Sequence, residues 1–171
     1  GQFSMPYASP RIKDIYGLET AEVSTDTAAL FARIDPLDNP HVIASIAESA
    51  RLMAPWKDEF RYHHPDKGIR WLEGHSTPVL EEDGSIVWYG IILDITERKE
   101  TDRKIRESEQ RFSALFNQNP VPLGITKPAD YRIVDVNQAW CDLTGYSREE
   151  VICLNSAELG LTTLGRLQEI R

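Results

Sequence analysis

Between Gly84 and Lys99 the chain passes from dense β-forming sequence into nearly pure charge, with no turn residue between. Ser85 to Leu93 is rich in Val, Ile, Trp and Tyr, side chains that need a sheet and a core. The run ends on Asp94-Ile95-Thr96, and Glu97 to Arg111 then holds a single apolar side chain, Ile105. Such a segment builds no core, but it carries helix support. Glu100 and Lys104, Asp102 and Arg106, and Glu107 and Arg111 are acid-before-base pairs at i,i+4. The pattern predicts a sheet domain that ends in an unbroken charged helix over 97–117, about 31 Å long at about 1.5 Å per residue. That is the layout of a part that passes a mechanical signal onward.

The chain beyond this rod repeats the chain before it. A shift of 128 residues lays Phe3 on Tyr131, Ser9 on Asn137, Asp14 on Asp142, Ile15 on Leu143, Gly17 on Gly145, Glu22 on Glu150 and Val23 on Val151 without a gap. The identities fall where structure is decided. Gly145 follows the apolar-periodic Ala139, Trp140 and Leu143 and is placed to end a helix. Ser147, with Glu150 three residues on, is a capping box that opens the next short helix. Two copies of one domain are expected.

Three segments carry a family resemblance: IVDVNQAWCDLTGYSREEV at 133–151, FRYHHPDKGIRWLEGHSTPVLEEDGSIVWYGIILDITERK at 60–99, and RESEQRFSALFNQNP at 106–120. In this order and spacing they resemble tandem PAS domains of the PAS/PAC type found in bacterial sensor proteins. The resemblance covers nearly the whole chain. It implies an α+β fold, a PAS-like antiparallel sheet with short helices on one face, present as two incomplete copies joined by a linker helix. The expected division is a first PAS domain over 1–96 lacking its opening strand, a signalling helix over 97–117, and the N-terminal part of a second PAS domain over 118–171. Both ends look cut, so a longer multidomain parent is expected.

The pattern along the first copy fills in the elements. Phe3 to Ala8 is predicted as a strand and Pro10 to Tyr16 as a short helix with proline at its first position. Short helical pieces over 19–38 are broken by Pro36. Asn39-Pro40 opens a longer helix with Val42, Ile43, Ile46, Ala47, Ala50 and Met53 on one face, closed by Pro55. Strands follow over 57–64, 69–80 and 85–96, joined by Pro65-Asp66-Lys67-Gly68 and Glu81-Glu82-Asp83-Gly84. Four antiparallel strands are expected, with the last two longest. In the second copy Val121 to Thr126 is predicted to hold an opening strand.

Composition excludes several functions. A net charge of −8 and a pI near 5 argue against nucleic acid as a partner. No apolar run is long enough to span a membrane and no export signal is present, so a cytoplasmic setting without direct membrane contact is expected, with any tether lying upstream. Cys141 and Cys153 lack CxxC spacing, and both are expected to be buried thiols in a reducing compartment. There is no nucleophile elbow, phosphate-binding glycine loop or HExxH. No catalysis is expected within these residues; a histidine kinase or diguanylate cyclase output would lie outside them.

The resemblance also implies where a signal enters and leaves. Pocket candidates for a small-molecule ligand are Arg61, His63, Leu72, Ser76 and Ile92, and Asp94 and Thr96 are placed at the signal exit. If Gly90, Ile92 and Asp94 point inward, then Val87, Tyr89, Ile91 and Leu93 form an outer face too apolar to leave in water, and a homodimer is the expected cover. A weak two-chain seam through Ile105, Phe112 and Phe116 fits the same expectation. The edge of the 85–96 strand is expected to be covered by residues upstream of Gly1 or by another chain, and the copy at 107–171 to be the less ordered half. No cofactor is identified by a motif. The alternative function is a haem-binding redox or gas sensor, with His41 as axial ligand because haem-binding relatives place theirs on that helix. A visible absorption spectrum separates the two.

Overall fold

The structure, a computed structural model, describes residues 4–155 and 158–159. The chain divides into two compact units, residues 1–103 and 104–171.

In the first unit three short helices, α1 (Ile12–Tyr16), α2 (Thr20–Val23) and α3 (Ala28–Phe31), lead into a longer one, α4 (Asn39–Leu52). Three strands follow: β1 (Trp56–His64), β2 (Gly68–Leu80) and β3 (Ile86–Asp94). They pair antiparallel in the order β1-β2-β3, with Phe60 opposite Leu72 and Leu72 opposite Asp94. The turns are the two glycine-ended tetrapeptides expected from sequence. The free side of β1 is occupied by the 33–35 segment: Asp35 N donates to Arg61 O at 2.9 Å and His63 N to Arg33 O at 2.8 Å. Around Tyr62 that edge therefore has its backbone groups satisfied. Phe60, Tyr62 and Leu72 meet Ile12, Tyr16, Leu18, Val23, Leu30, Ile34 and Val42 in one buried cluster.

Three expectations are corrected. Residues 4–8 form no strand, so the described sheet has three strands rather than four; Phe3 lies outside the described residues. Pro6 has no amide to donate, and the Met5 amide is taken by Val23 O at 2.9 Å, a local contact that competes with any ladder. Strand β2 is the longest at 13 residues, but β3 equals β1 at nine. The buried side of α4 is Val42 and Ser49, with Ser45 and Ile46 partly buried, whereas Ile43, Ala47 and Met53 face solvent. Two serines stand on the inward face because each has a partner there, described below.

A 23-residue helix, α5 (Thr96–Gln118), follows β3 without a break, as the charged segment predicts. The second unit then forms a two-stranded sheet of β4 (Gly124–Thr126) and β5 (Ile133–Val136), with α6 (Gln138–Thr144) and α7 (Arg148–Val151). The internal repeat is visible in three dimensions. Helix α2 shifted by 128 residues is α7. Gly17 ends α1 at φ 65 and Gly145 ends α6 at φ 79, left-handed positions where a side chain would be strained. Glu19–Glu22 and Ser147–Glu150 both close capping boxes, and Val23 and Val151 are both fully buried.

The second unit is organised by Asn137, which is fully buried. Its Oδ1 accepts from the amides of Leu123 and Trp140, each at 2.9 Å. Its Nδ2 donates to carbonyls of Phe116, Asn119 and Val121 at 3.1, 3.2 and 2.8 Å. One amide side chain thus caps α6 and fastens the end of α5. Ser9, its counterpart in the first copy, is exposed, and among the described residues its hydroxyl accepts a 3.4 Å bond from the Arg11 amide.

Candidate functional site: the sheet and its exit helix

Strand alternation sorts the candidate residues by face. Leu72 is fully buried, and Ile92 packs against the same cluster. Ser76 lies on this inner face too, opposite Trp56 on one side and Gly90 on the other. Arg61 and His63 do not join them. They alternate with the buried Phe60, Tyr62 and His64, so their side chains emerge on the outer face. There Arg61 binds Asp38 through Nε at 2.8 Å and Nη2 at 2.6 Å, and His63 Nε2 lies 3.1 Å from Asp35 Oδ2. The forked Arg61 contact holds the Asp38 carboxyl below its usual range, against the opposing effect of burial.

The space between sheet and α4 is filled by a residue outside the expected set, Trp56. Its indole lies over Gly74, where any added Cβ would overlap the ring. The Trp56 Nε1–H donates to Ser45 Oγ at 2.8 Å, and Trp88 Nε1–H to Ser49 Oγ at 3.3 Å. Ser45 and Ser49 are one helical turn apart, so two indoles fasten α4 to β1 and β3 by hydrogen bonds. Ser45 in turn lies 2.7 Å from Asp58 Oδ2. Serines at i and i+4, in register with Val42 and Ile46, were the available sequence signal. A shallow depression of about 400 Å³ is lined mostly from the outer face, by Lys57, His75, Thr77, Tyr89 and Ile91, which alternate with the inner-face Trp56, Ser76 and Gly90.

Asp94 and Thr96 build a junction between sheet and helix. Asp94 Oδ1 accepts from Thr96 Oγ1 at 2.6 Å and from the Thr96 amide at 3.0 Å, while Arg70 Nε approaches Oδ2 at 2.9 Å. Burial works to raise the Asp94 pKa, but these Thr96 and Arg70 contacts outweigh it and keep the carboxyl below its ordinary value. Thr96 Oγ1 also accepts the Trp71 amide at 2.9 Å, and the Ile95 amide donates to Trp71 O at 2.9 Å. The start of α5 is therefore tied to the backbone of the central strand, not only to the strand it follows.

The outer face adds an ionic tie. Arg98 Nη2 reaches Glu59 at 2.9 Å and Glu73 at 3.0 Å, and Lys99 pairs with Glu59 and stands 4.9 Å from the Trp71 ring centroid. The Glu73 carboxylate, 6% exposed, also meets His75 at 2.6 Å and Lys57 at 3.1 Å. Those hydrogen bonds, His75 first, pull its pKa down to about 2 despite the cost of burial. Further along the same face, Tyr89, Ile91 and Leu93 are exposed.

His41 stands in the first turn of α4 with its side chain 74% exposed and its Nε2 3.4 Å from Asp58. It faces solvent rather than the space beneath the sheet. Among the described residues no group of three His, Cys, Asp or Glu side chains is placed to hold a metal ion. Cys153 is exposed at φ 70, not in a core, and Cys141 is partly buried. Phe116 is 6% exposed and stacks on Phe112 at 5.5 Å, so it turns away from the expected two-chain seam. Among the described residues no helix is long and apolar enough to cross a membrane.

Comparison with known proteins agrees with this architecture. Over 119 residues the chain is 31% identical to an uncharacterised protein of Sinorhizobium fredii, an alignment covering 67% of this chain and 14% of that protein. Over 55 residues it is 36% identical to the methyl sulfide methyltransferase-associated sensor of Methanosarcina acetivorans, covering 32% of this chain and 6% of that one. The chain thus spans a small part of the length of either relative. The crystal structure of a sensory box histidine kinase/response regulator from Burkholderia thailandensis superposes with a TM-score of 0.51 at 24% identity, over 64% of this chain and 82% of that one. Residues 5–92 match the PAS fold and residues 110–169 the PAS domain, so the chain belongs to the PAS family.

Proposed function

We propose that this chain is the sensing and relay part of a multidomain signal-transduction protein whose output is a histidine kinase or a diguanylate cyclase. Residues 1–96 act as the sensor, 97–117 as the relay helix, and 118–171 as the start of a second PAS domain. A small molecule entering beneath the sheet would meet Leu72, Ser76 and Ile92 after displacing the Trp56 ring, and the chain works as a homodimer in the cytoplasm. The observation that carries this reading is the Thr96 hydroxyl, which bonds the central strand and Asp94 at once. These bonds would carry a shift of β2 along its axis into the first turn of α5.

The test uses Thr96→Val and Asp94→Ala. Amides of residues 97–103 are expected to exchange about fivefold faster in either variant, the consequence of losing about one net hydrogen bond, with the sheet amides unchanged. In the parent protein with its own output region, the unstimulated output is expected to shift with the same substitutions. Faster exchange with unchanged output would overturn the relay reading.

A further inference from the structure

Asp58 points inward from β1, on the face it shares with Trp56 and Phe60, and its side chain is 9% exposed. A carboxylate so placed costs free energy unless a cation or several donors meet it. Other shielded carboxylates of the first unit have their cation: Glu73 meets Lys57 and Arg98, Asp38 meets Arg61, and Asp94 meets Arg70. Among the described residues no lysine or arginine pairs with Asp58. It holds the Glu59 amide at 2.9 Å, the Ser45 hydroxyl at 2.7 Å and the exposed His41 at 3.4 Å. Ser45 has a single hydrogen to give and a second acceptor for it, Val42 O at 3.0 Å. The carboxylate is thus under-served on its α4 side.

Next to Ser45 lies a flat slot. The six-membered ring of Trp56 covers Gly74, the strand partner of Asp58, and Ile92 Cδ1 borders the same point at 3.0 Å. The missing side chain at Gly74 leaves a floor that takes an aromatic ring. Trp56 is the first residue of β1, so the departure of its ring gives up the Ser45 bond and leaves the ladder from Lys57 onward in place. The ring nitrogen donates to Ser45, and Asp58 Oδ2 stands one hydrogen bond further on. An occupant that keeps the ring and adds a positive nitrogen would replace the indole contact and supply the absent cation. An anionic occupant would be repelled by the carboxylate, and a neutral one would leave it as it is.

Resting on the sensor reading above, we infer that the slot takes a flat aromatic ligand with a cationic nitrogen, its ring replacing the Trp56 indole over Gly74 and its nitrogen bound by Asp58. Trp56 is then a resident stand-in for the ligand, and its release is the first event of sensing.

The experiment titrates the full chain by calorimetry with three probes that share one ring: tryptamine, its neutral hydroxyl analogue tryptophol, and anionic indole-3-acetate. Tryptamine is expected to bind about tenfold more tightly than tryptophol, and indole-3-acetate more weakly than either. Asp58→Asn is expected to abolish the preference for tryptamine while leaving tryptophol unchanged. Trp56→Ala removes the resident ring and is expected to tighten tryptamine about tenfold. Should that variant not fold, the titration of the unchanged chain and Asp58→Asn still decide. In nitrogen-labelled protein the Trp56 indole N–H signal, assigned through Trp56→Phe, is expected to move on saturation with tryptamine. Equal affinity for tryptamine and tryptophol, a preference that survives Asp58→Asn, an unmoved Trp56 signal, or no binding would each overturn the inference. Binding that ignores charge would leave a pocket beneath the sheet and remove only the ligand class. The exchange test on Thr96 and Asp94 uses no ligand, so the relay reading and this one can fail separately.

Discussion

Single residues set the tolerances of the first unit, and Gly74 is the tightest. Gly74→Ala places a methyl group inside the Trp56 ring, so either the indole leaves Ser45 or β2 bends. A loss of about 1–3 kcal/mol is expected, read from urea denaturation by circular dichroism. Glu73 has a different signature because its carboxyl is held near 2 against an ordinary value of 4.5. A depressed folded pKa stabilises fully above the unfolded value and is lost as pH falls, so this contribution is expected to fade between about pH 4.5 and 2. Glu73→Gln is expected to flatten the stability curve in that window, and an unchanged acid limb would contradict the assignment. Neither residue was legible in the sequence. Gly74 reads as an ordinary strand glycine until Trp56 is seen to lie over it, and Glu73 reads as solvent-exposed until Lys57, His75 and Arg98 converge on it.

Elements were more legible than the contacts between them. Alternation around the turns at 65–68 and 81–84 was enough for the hairpins, and the charge pattern was enough for α5, since both are local rules. The strand expected at 3–8 failed because a strand is defined by a partner, and the partner of Met5 is a carbonyl in α2. Hydrophobic periodicity puts Ile43, Ala47 and Met53 on the inner face of α4 because it cannot register a serine buried by an indole N–H. Two-residue alternation separates Arg61 and His63 from Leu72, Ser76 and Ile92. At this scale the docking of α5 is expected to depend on salt. Arg98 and Lys99 are partly exposed, and the screening length shrinks to about 3 Å at 1 M salt. Raising sodium chloride from about 0.05 to 1 M is expected to speed amide exchange over 97–103 while leaving β2 protected. Exchange that is indifferent to salt would show that the Thr96 ties alone hold the helix.

Across the molecule, one domain plan is written twice with different fastenings. The copies share glycine-ended helices and capping boxes, but the pivotal polar side chain is Asn137 in one and exposed Ser9 in the other. Asn137→Asp turns a donor towards three carbonyls into a charge they repel. It is expected to cost the second unit about 2–4 kcal/mol. Hydrogen exchange should locate that loss in β4, β5 and α6 and spare the β1–β3 sheet; a loss shared by both units would mean that they unfold as one. The placement of the indoles has an optical consequence. The chain has four tryptophans: Trp56 and Trp88 bonded to α4, Trp71 beneath the Lys99 ammonium, and Trp140 against the core of the second unit. Each part that could move carries its own fluorophore. With three of the four changed to phenylalanine, the remaining emission would follow the pocket wall, the departing helix or the second unit separately, without an attached dye.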